Sequence, residues 1–177
     1  MRTIGKQLWP LLALPAAALA LAPSAVAVRG GNTGFGFNAR GISGAPTGAV
    51  SLTGGGAYTP ENGFVHSAGG FRCTEAVEQG PLSGCQAGQG VRWDTAELLV
   101  ETKFKCAGDA AKTAVTDGNT AVLLSDFYRA GDGNDESFTA QMIVSPNDIA
   151  PDIEGVQNVW IQGVGCGSAI VHFSSTH

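Results

Sequence analysis

Charged and aromatic side chains are scarce in this chain of 177 residues, at 14% and 7% of the positions. A coiled coil is excluded, because that fold needs a composition rich in Ala, Glu, Lys and Leu. Basic residues number 10 against 15 acidic residues, which gives a formal net charge of -5 at pH 7. Nucleic acid is therefore not expected as a partner, since its binding requires clustered Lys and Arg. Hydrophobic residues make up 44% of the chain, which argues against a disordered polyelectrolyte.

Sequence motifs that mark common catalytic sites are also missing. The chain has no G-x-S-x-G motif to present a serine nucleophile, no phosphate-binding loop and no dinucleotide-binding fingerprint. It has no C-x-x-C pair and no histidine at zinc-finger spacing, which disfavours a zinc site. A non-catalytic role is therefore favoured over an enzyme.

Residues 1–27 have the features of a secretory signal peptide. Two basic residues, Arg2 and Lys6, precede an apolar run over residues 8–22 that contains no charge. Alanines at the two positions that signal peptidase recognises predict cleavage after Ala27. No membrane span is predicted to remain after cleavage, so we expect a protein that is secreted or held in the periplasm or cell envelope.

All four cysteines lie in the predicted mature part of the chain, and an even number in an exported protein indicates two disulfides. Three connectivities are open to four cysteines. We favour Cys73–Cys85, which closes a short segment rich in turn-forming Gly and Pro. The second bridge is then Cys106–Cys166, which would tie a middle strand to the last one.

Glycine is abundant, with 26 residues, and its distribution divides the mature chain. Residues 28–48 are rich in glycine and contain little to bury, which predicts a flexible lead-in. A single β-rich domain is predicted over residues 49–177, and its size is usual for one small domain.

Short apolar runs separated by glycine-rich turns predict a mainly β fold, a small antiparallel β-sandwich or barrel stapled by disulfides. The clearest period-two alternation covers residues 138–144. An Asp-Gly-Asn turn at residues 117–119, between the apolar runs 113–116 and 120–124, predicts a hairpin. Residues 94–104 fit a strand better than a helix, and one short helix there is the alternative interpretation.

Three side chains are the candidates for catalysis or ligand stacking. His66 and His172 are the candidate catalytic residues, because imidazole is the usual acid–base group near neutral pH. His66 and the adjacent Ser67 point to opposite faces of a strand, so they cannot form a dyad. Trp160 is the candidate ligand-binding residue, since an indole ring can stack on a sugar, although core packing explains most aromatic residues.

Calcium is the one metal that the sequence suggests, and no other cofactor is predicted. Asp132, Asn134 and Glu136 alternate in a glycine-containing loop, and hard cations take carboxylate and amide oxygens from such loops. The EF-hand pattern is incomplete, because the twelfth position counted from Asp132 is Ile143 rather than glutamate. A solvated hairpin loop is the alternative interpretation.

Three segments resemble small exported bacterial proteins of unassigned function. They are Phe-Arg-Cys at residues 71–73, Gly-Val-Arg-Trp at residues 90–93, and the glycine-rich run at residues 159–167. The resemblance is one of overall character and covers most of the mature chain. It implies an exported protein, and it brings no catalytic residue and no ligand with it.

The favoured hypothesis is an exported, disulfide-stabilised β-protein that binds an extracellular or envelope ligand or protein, or has a structural role there. A small hydrolase or isomerase, with a site assembled from separate strands, is the first alternative. A calcium-stabilised structural module is the second.

Overall fold

Eleven β-strands make up the regular structure of the residues that the structure describes. The computed structural model describes residues 31–44, 47–130 and 137–175. No helix occurs within those ranges, so the predicted mainly β fold is confirmed and the alternative of a short helix near residues 94–104 is wrong. The strands are β1 (Thr33–Gly44), β2 (Ala49–Thr59), β3 (Phe64–Glu75), β4 (Arg92–Leu98), β5 (Glu101–Phe104), β6 (Lys112–Val115), β7 (Ala121–Tyr128), β8 (Ser137–Val144), β9 (Val159–Ile161), β10 (Gly165–Gly167) and β11 (Ala169–Ser175).

Eight of the strands close into an antiparallel barrel. Their order is β1-β2-β3-β4-β7-β8-β9-β10, and β10 pairs back with β1. The extra strand β11 continues beyond β10 and pairs with β1 along residues 33–39. Consequently β1 is paired with β2 on one side and with β10 and β11 on the other.

Apolar side chains fill the barrel interior, because successive residues of a strand point alternately inward and outward. The largest buried side chains of this core include Phe35, Phe37, Tyr58, Leu52, Phe71, Trp93, Leu123, Phe127, Met142 and Ile161. Glycines allow β2 and β3 to approach each other and the Trp93 ring closely. A Cβ atom at Gly69 would overlap the carbonyl oxygen of Thr53, and one at Gly54 would lie 2.5 Å from the Trp93 ring.

The domain begins earlier than the glycine content predicts, since residues 33–44 of the predicted flexible lead-in form β1. The glycines at positions 34 and 36 do not signify flexibility. They alternate with Phe35 and Phe37, whose rings are buried in the core. A strand that is paired on both sides needs only one apolar face, so its other face tolerates glycine.

The hairpin predicted across residues 117–119 is wrong, because β6 pairs with β5 and not with β7. In β5, Thr102 and Phe104 are buried while Glu101 and Lys103 are exposed, which is the period of a strand. This β5–β6 hairpin lies outside the barrel. Its apolar face packs on the outer face of β7–β10 in a second core that contains Phe104, Cys106, Ala114, Val122, Ile143, Ala150, Trp160 and Cys166.

Two disulfides join the elements, with the connectivity that the sequence favours. Cys73–Cys85 links β3 to the loop that follows it, and Cys106–Cys166 links the β5–β6 hairpin to β10. The Cα atoms are 6.3 Å and 5.3 Å apart, within the usual range for a bridge.

An ion-pair cluster joins the tip of the β5–β6 hairpin to the loop between β8 and β9. The Lys112 ammonium donates to the Asp109 carboxylate and lies 2.8 Å from Asp152 Oδ2. The hydrogen bond from Lys112 lowers the pKa of Asp109 below its ordinary value of 3.8. Because the folded state holds the Asp109 proton less tightly than the unfolded state, the cluster stabilises the fold above that ordinary pKa.

We expect Asp109→Asn to be less stable than the wild type at pH 7, by an amount that shrinks as the pH falls below 3.8. Asn carries no charge for Lys112 to pair with, and acid removes the same charge from the wild type. Urea unfolding between pH 7 and pH 2 measures the difference. Glu154→Gln, an exposed change in the loop that holds Asp152, is the control. A difference that stays constant over this pH range would contradict the prediction.

Candidate functional site

The two candidate catalytic histidines lie apart on the outer surface of the barrel. His66 is on β3 and His172 is on β11, and both are exposed. Two strands, β1 and β2, stand between them, which separates them by about 14 Å. Ser67 faces the interior, where its hydroxyl contacts that of Thr95. The geometry therefore brings neither histidine to Ser67 and does not bring the two histidines together.

Trp160 is a core residue in this structure, in contrast to the ligand-stacking role considered from the sequence. It is only 5% exposed and lies beneath the β5–β6 hairpin. Its ring packs edge-on against Phe104 with the centroids 6.0 Å apart, and its indole N–H donates to the Lys105 carbonyl at 3.2 Å. No open ring face is left for a ligand.

The candidate calcium ligands Asp132, Asn134 and Glu136 lie outside the described residues, so the calcium hypothesis stays a prediction. Among the residues that the structure describes, no group of three or more His, Cys, Asp and Glu side chains could hold a metal ion. The acidic loop after β8 uses Asp148 for its own backbone, since its Oδ1 accepts from the N–H groups of Ala150 and Gln157.

A different cluster stands out on the outer face of β1, β2 and β3. Between Ala39 and Ile42 a bulge places two residues of β1, Arg40 and Gly41, opposite Ser51 of β2. Ser51 is in turn paired with Arg72 of β3. Two exposed arginines thus flank one serine across three neighbouring strands. We call this surface the arginine face.

Two shallow grooves run into the arginine face, one at each arginine. The groove at Arg72 has a volume of about 350 Å³ and is also lined by Ser51, Thr53, Gly70, Gly90 and Val91. The groove at Arg40 has a volume of about 250 Å³ and is also lined by Asn38, Ser168, Ala169 and Ile170. Each groove therefore combines a guanidinium group, at least one hydroxyl group and an exposed apolar side chain, Val91 or Ile170.

Glycine is required where the chain passes the groove at Arg72. Gly90 has φ of 112°, a conformation that side chains rarely adopt, and a Cβ atom there would lie 2.7 Å from the Arg72 Cα atom. The backbone at residue 90 can therefore approach β3 closely. Its N–H group donates to the Arg129 carbonyl at 2.9 Å, which fixes this wall of the groove.

The two guanidinium groups of the arginine face are not neutralised by carboxylates of the described residues. Within the described ranges, neither Arg40 nor Arg72 forms an ion pair with an acidic residue. The neighbouring Arg92 is different, because its guanidinium lies 2.7 Å from Asp94 and 3.8 Å from the centroid of the Tyr128 ring. The arginine face is therefore a positively charged patch on a chain whose net charge is negative.

Comparisons of the chain with protein-family models, with curated proteins and with solved structures gave no match.

Sequence reasoning did not find the arginine face, because Arg40 and Arg72 are distant along the chain. A partial signal was present in the alternation along each strand. Arg40 follows the inward-facing Ala39 and Arg72 precedes the inward-facing Cys73, so the strand period places both arginines on the outer face. The bulge that aligns Arg40 with Ser51 has no sequence signal of its own.

In the part of the chain that the structure describes, no helix has the length and apolar character needed to cross a membrane.

Proposed function

We propose that the protein is an exported, non-catalytic binding module that acts at the cell envelope or outside the cell. The observation that carries the proposal is the arginine face, where two grooves and two arginines without ion pairs in the described ranges lie on one face of the sheet. Ligand sites usually combine a concave surface with a few polar groups that fix orientation.

Export is supported by independent features of the chain. The basic and apolar pattern of residues 1–27 is that of a signal peptide. Both cysteine pairs form disulfides, which persist in oxidising compartments outside the cytosol. A barrel stapled at two places suits a binding surface, because a rigid surface loses little conformational entropy when it binds.

The hydrolase alternative lacks a supporting observation. It requires a histidine close to a nucleophile or an acid in one cleft. His66 and His172 lie on separate outer positions of the sheet, and Ser67 faces the core. The arginine face contains hydroxyl and guanidinium groups, a set that can bind and orient a ligand but includes no general base at neutral pH.

Retention on cell-envelope material tests the proposed function. The mature chain, residues 28–177, is mixed with washed, protein-stripped envelopes of the producing cells and then sedimented. We expect the wild type to sediment with the envelopes and Arg40→Gln/Arg72→Gln to lose about tenfold in apparent affinity, since two charge-assisted contacts are removed.

A matched control removes the same charge elsewhere. Lys103→Gln/Lys105→Gln takes two positive charges from the exposed side of β5 and the residue after it, away from the arginine face. This variant should sediment like the wild type. Equal losses in both double variants would mean that net charge, and not the arginine face, governs retention. No retention of the wild type would refute the proposed function.

A further inference from the structure

We propose that the arginine face binds an anionic polysaccharide whose sugars carry carboxylate groups, with Arg40 and Arg72 each recognising one carboxylate. This inference rests on the proposed function and deepens it by naming the ligand class. The ligand would lie across β1, β2 and β3, with one acidic sugar in each groove.

The spacing of the arginines fits a repeating ligand. Arg40 and Arg72 flank Ser51 and stand on strands two positions apart, so their Cα atoms are separated by about 10 Å. In an extended polysaccharide chain, equivalent groups on every second sugar recur at a distance comparable to this separation of the arginines. A small anion could engage one arginine only, whereas a polymer engages both and gains from effective concentration.

The chemistry of the grooves suits sugars as well as carboxylates. A guanidinium group donates two parallel hydrogen bonds to a carboxylate, which makes arginine selective for that group. The side chains of Ser51, Thr53 and Asn38 can donate to and accept from sugar hydroxyls, and the hydroxyls of Ser51 and Thr53 make no hydrogen bond in the described part of the chain. Val91, 49% exposed, and Ile170, 69% exposed, offer apolar contact to the C–H faces of sugar rings.

The charge of the rest of the molecule favours binding in one orientation. The chain is acidic overall, so a polyanion is repelled from most of its surface and attracted to the arginine face. A nucleic acid fits this site less well, because single-stranded bases need exposed aromatic rings to stack on. The neighbouring aromatic ring, Tyr128, is covered by Arg92.

Binding to polygalacturonate tests the inference, with its fully methyl-esterified form as the matched neutral polymer. Isothermal titration calorimetry of the mature chain should show binding to polygalacturonate and at least tenfold weaker binding to the ester. Arg40→Gln/Arg72→Gln should weaken binding to polygalacturonate about tenfold, and Lys103→Gln/Lys105→Gln should change it less than twofold. Binding should also weaken as sodium chloride rises from about 50 to about 500 mM, because exposed charges are screened by salt.

Three results would overturn the inference: equal binding of the ester and the acid form, equal binding of the arginine variant and the wild type, or equally tight binding of duplex DNA. Urea unfolding of the arginine variant guards against misfolding, and it should match the wild type because both side chains are exposed. If polygalacturonate does not bind while envelope retention still depends on the arginines, the ligand class is wrong and the proposed binding function stands. If envelope retention fails too, both proposals fall.

Discussion

Replacing both cysteines of the Cys106–Cys166 bridge by alanine is expected to lower the free energy of unfolding by about 4 kcal/mol. The two residues are separated by 60 positions, so the bridge removes much conformational freedom from the unfolded chain. In the folded state the bridge also holds the β5–β6 hairpin on β10. Equilibrium unfolding in urea, followed by circular dichroism, measures the loss.

The Cys73–Cys85 bridge is the matched control for this prediction. Its residues are separated by only 12 positions, so the same reasoning gives a loss of about 3 kcal/mol for the corresponding alanine pair. The order of the two losses is the informative result. If removal of the short bridge lowers the free energy of unfolding as much as removal of the long one, chain entropy does not explain the stabilisation. Local packing around each bridge must then do so.

Detachment of the hairpin gives a second signal for the same variant. Trp160 is buried by the hairpin and hydrogen-bonds to the Lys105 carbonyl. Without the Cys106–Cys166 bridge, we expect the indole fluorescence to shift to longer wavelength at urea concentrations below the main transition. The variant without Cys73–Cys85 should show no such early shift, because its hairpin is still attached.

Local patterns in the sequence predicted the fold class and the Cys73–Cys85 disulfide, which left Cys106 and Cys166 to form the second pair. The alternation over residues 138–144 became β8, and the turn-rich segment between Cys73 and Cys85 is closed by a bridge. These features depend on residues that are close in sequence, where the period of a strand and the chemistry of a turn act directly. The closure of the barrel depends on the pairing of β1 with β10, which has no local signal.

The wrong predictions share one physical cause, which is that tertiary pairing overrides local composition. Glycine at positions 34 and 36 suggested flexibility, but the barrel buries the intervening phenylalanines and pairs β1 on both sides. The turn at residues 117–119 suggested a hairpin, but β6 pairs with β5, and its Ala114 is buried in the second core. For Trp160 the sequence left ligand stacking and core packing open, and the hairpin that covers the indole places it in the second core.

The arginine face shows the same limit for functional residues. Arg72 was part of the Phe-Arg-Cys segment that supported the resemblance to exported proteins, yet nothing in that segment points to Arg40. The strand register and one bulge bring the two residues to either side of Ser51. A site built from separate strands becomes visible only when the register is known.

Trp93→Ala is expected to cost about 3–5 kcal/mol, because it removes a large buried side chain and leaves a cavity in the barrel. The indole is fully buried, packs 5.9 Å from the Phe37 ring and donates to the Thr53 carbonyl at 2.9 Å. Such a loss is comparable to the whole stability of many domains, so this variant could fail to fold. Trp93→Phe keeps a ring in the core and should lose less. Val91→Ala, an exposed change two residues earlier, should stay within about 0.5 kcal/mol of the wild type.

The Trp93 ring lies directly against Gly54 of β2, and a double-mutant cycle can measure the coupling between the two residues. A Cβ atom at Gly54 would lie 2.5 Å from Cζ2 of the Trp93 ring and 2.6 Å from the Ala68 carbonyl oxygen. Gly54→Ala should therefore destabilise the wild type by about 1–3 kcal/mol, as overpacking does. In the Trp93→Phe background the cost should be smaller, because phenylalanine lacks the atom that the methyl group meets, but it should not vanish, because the Ala68 carbonyl remains. Urea unfolding of the four proteins measures this coupling, and strictly additive losses would show that the absence of a side chain at Gly54 does not serve the indole.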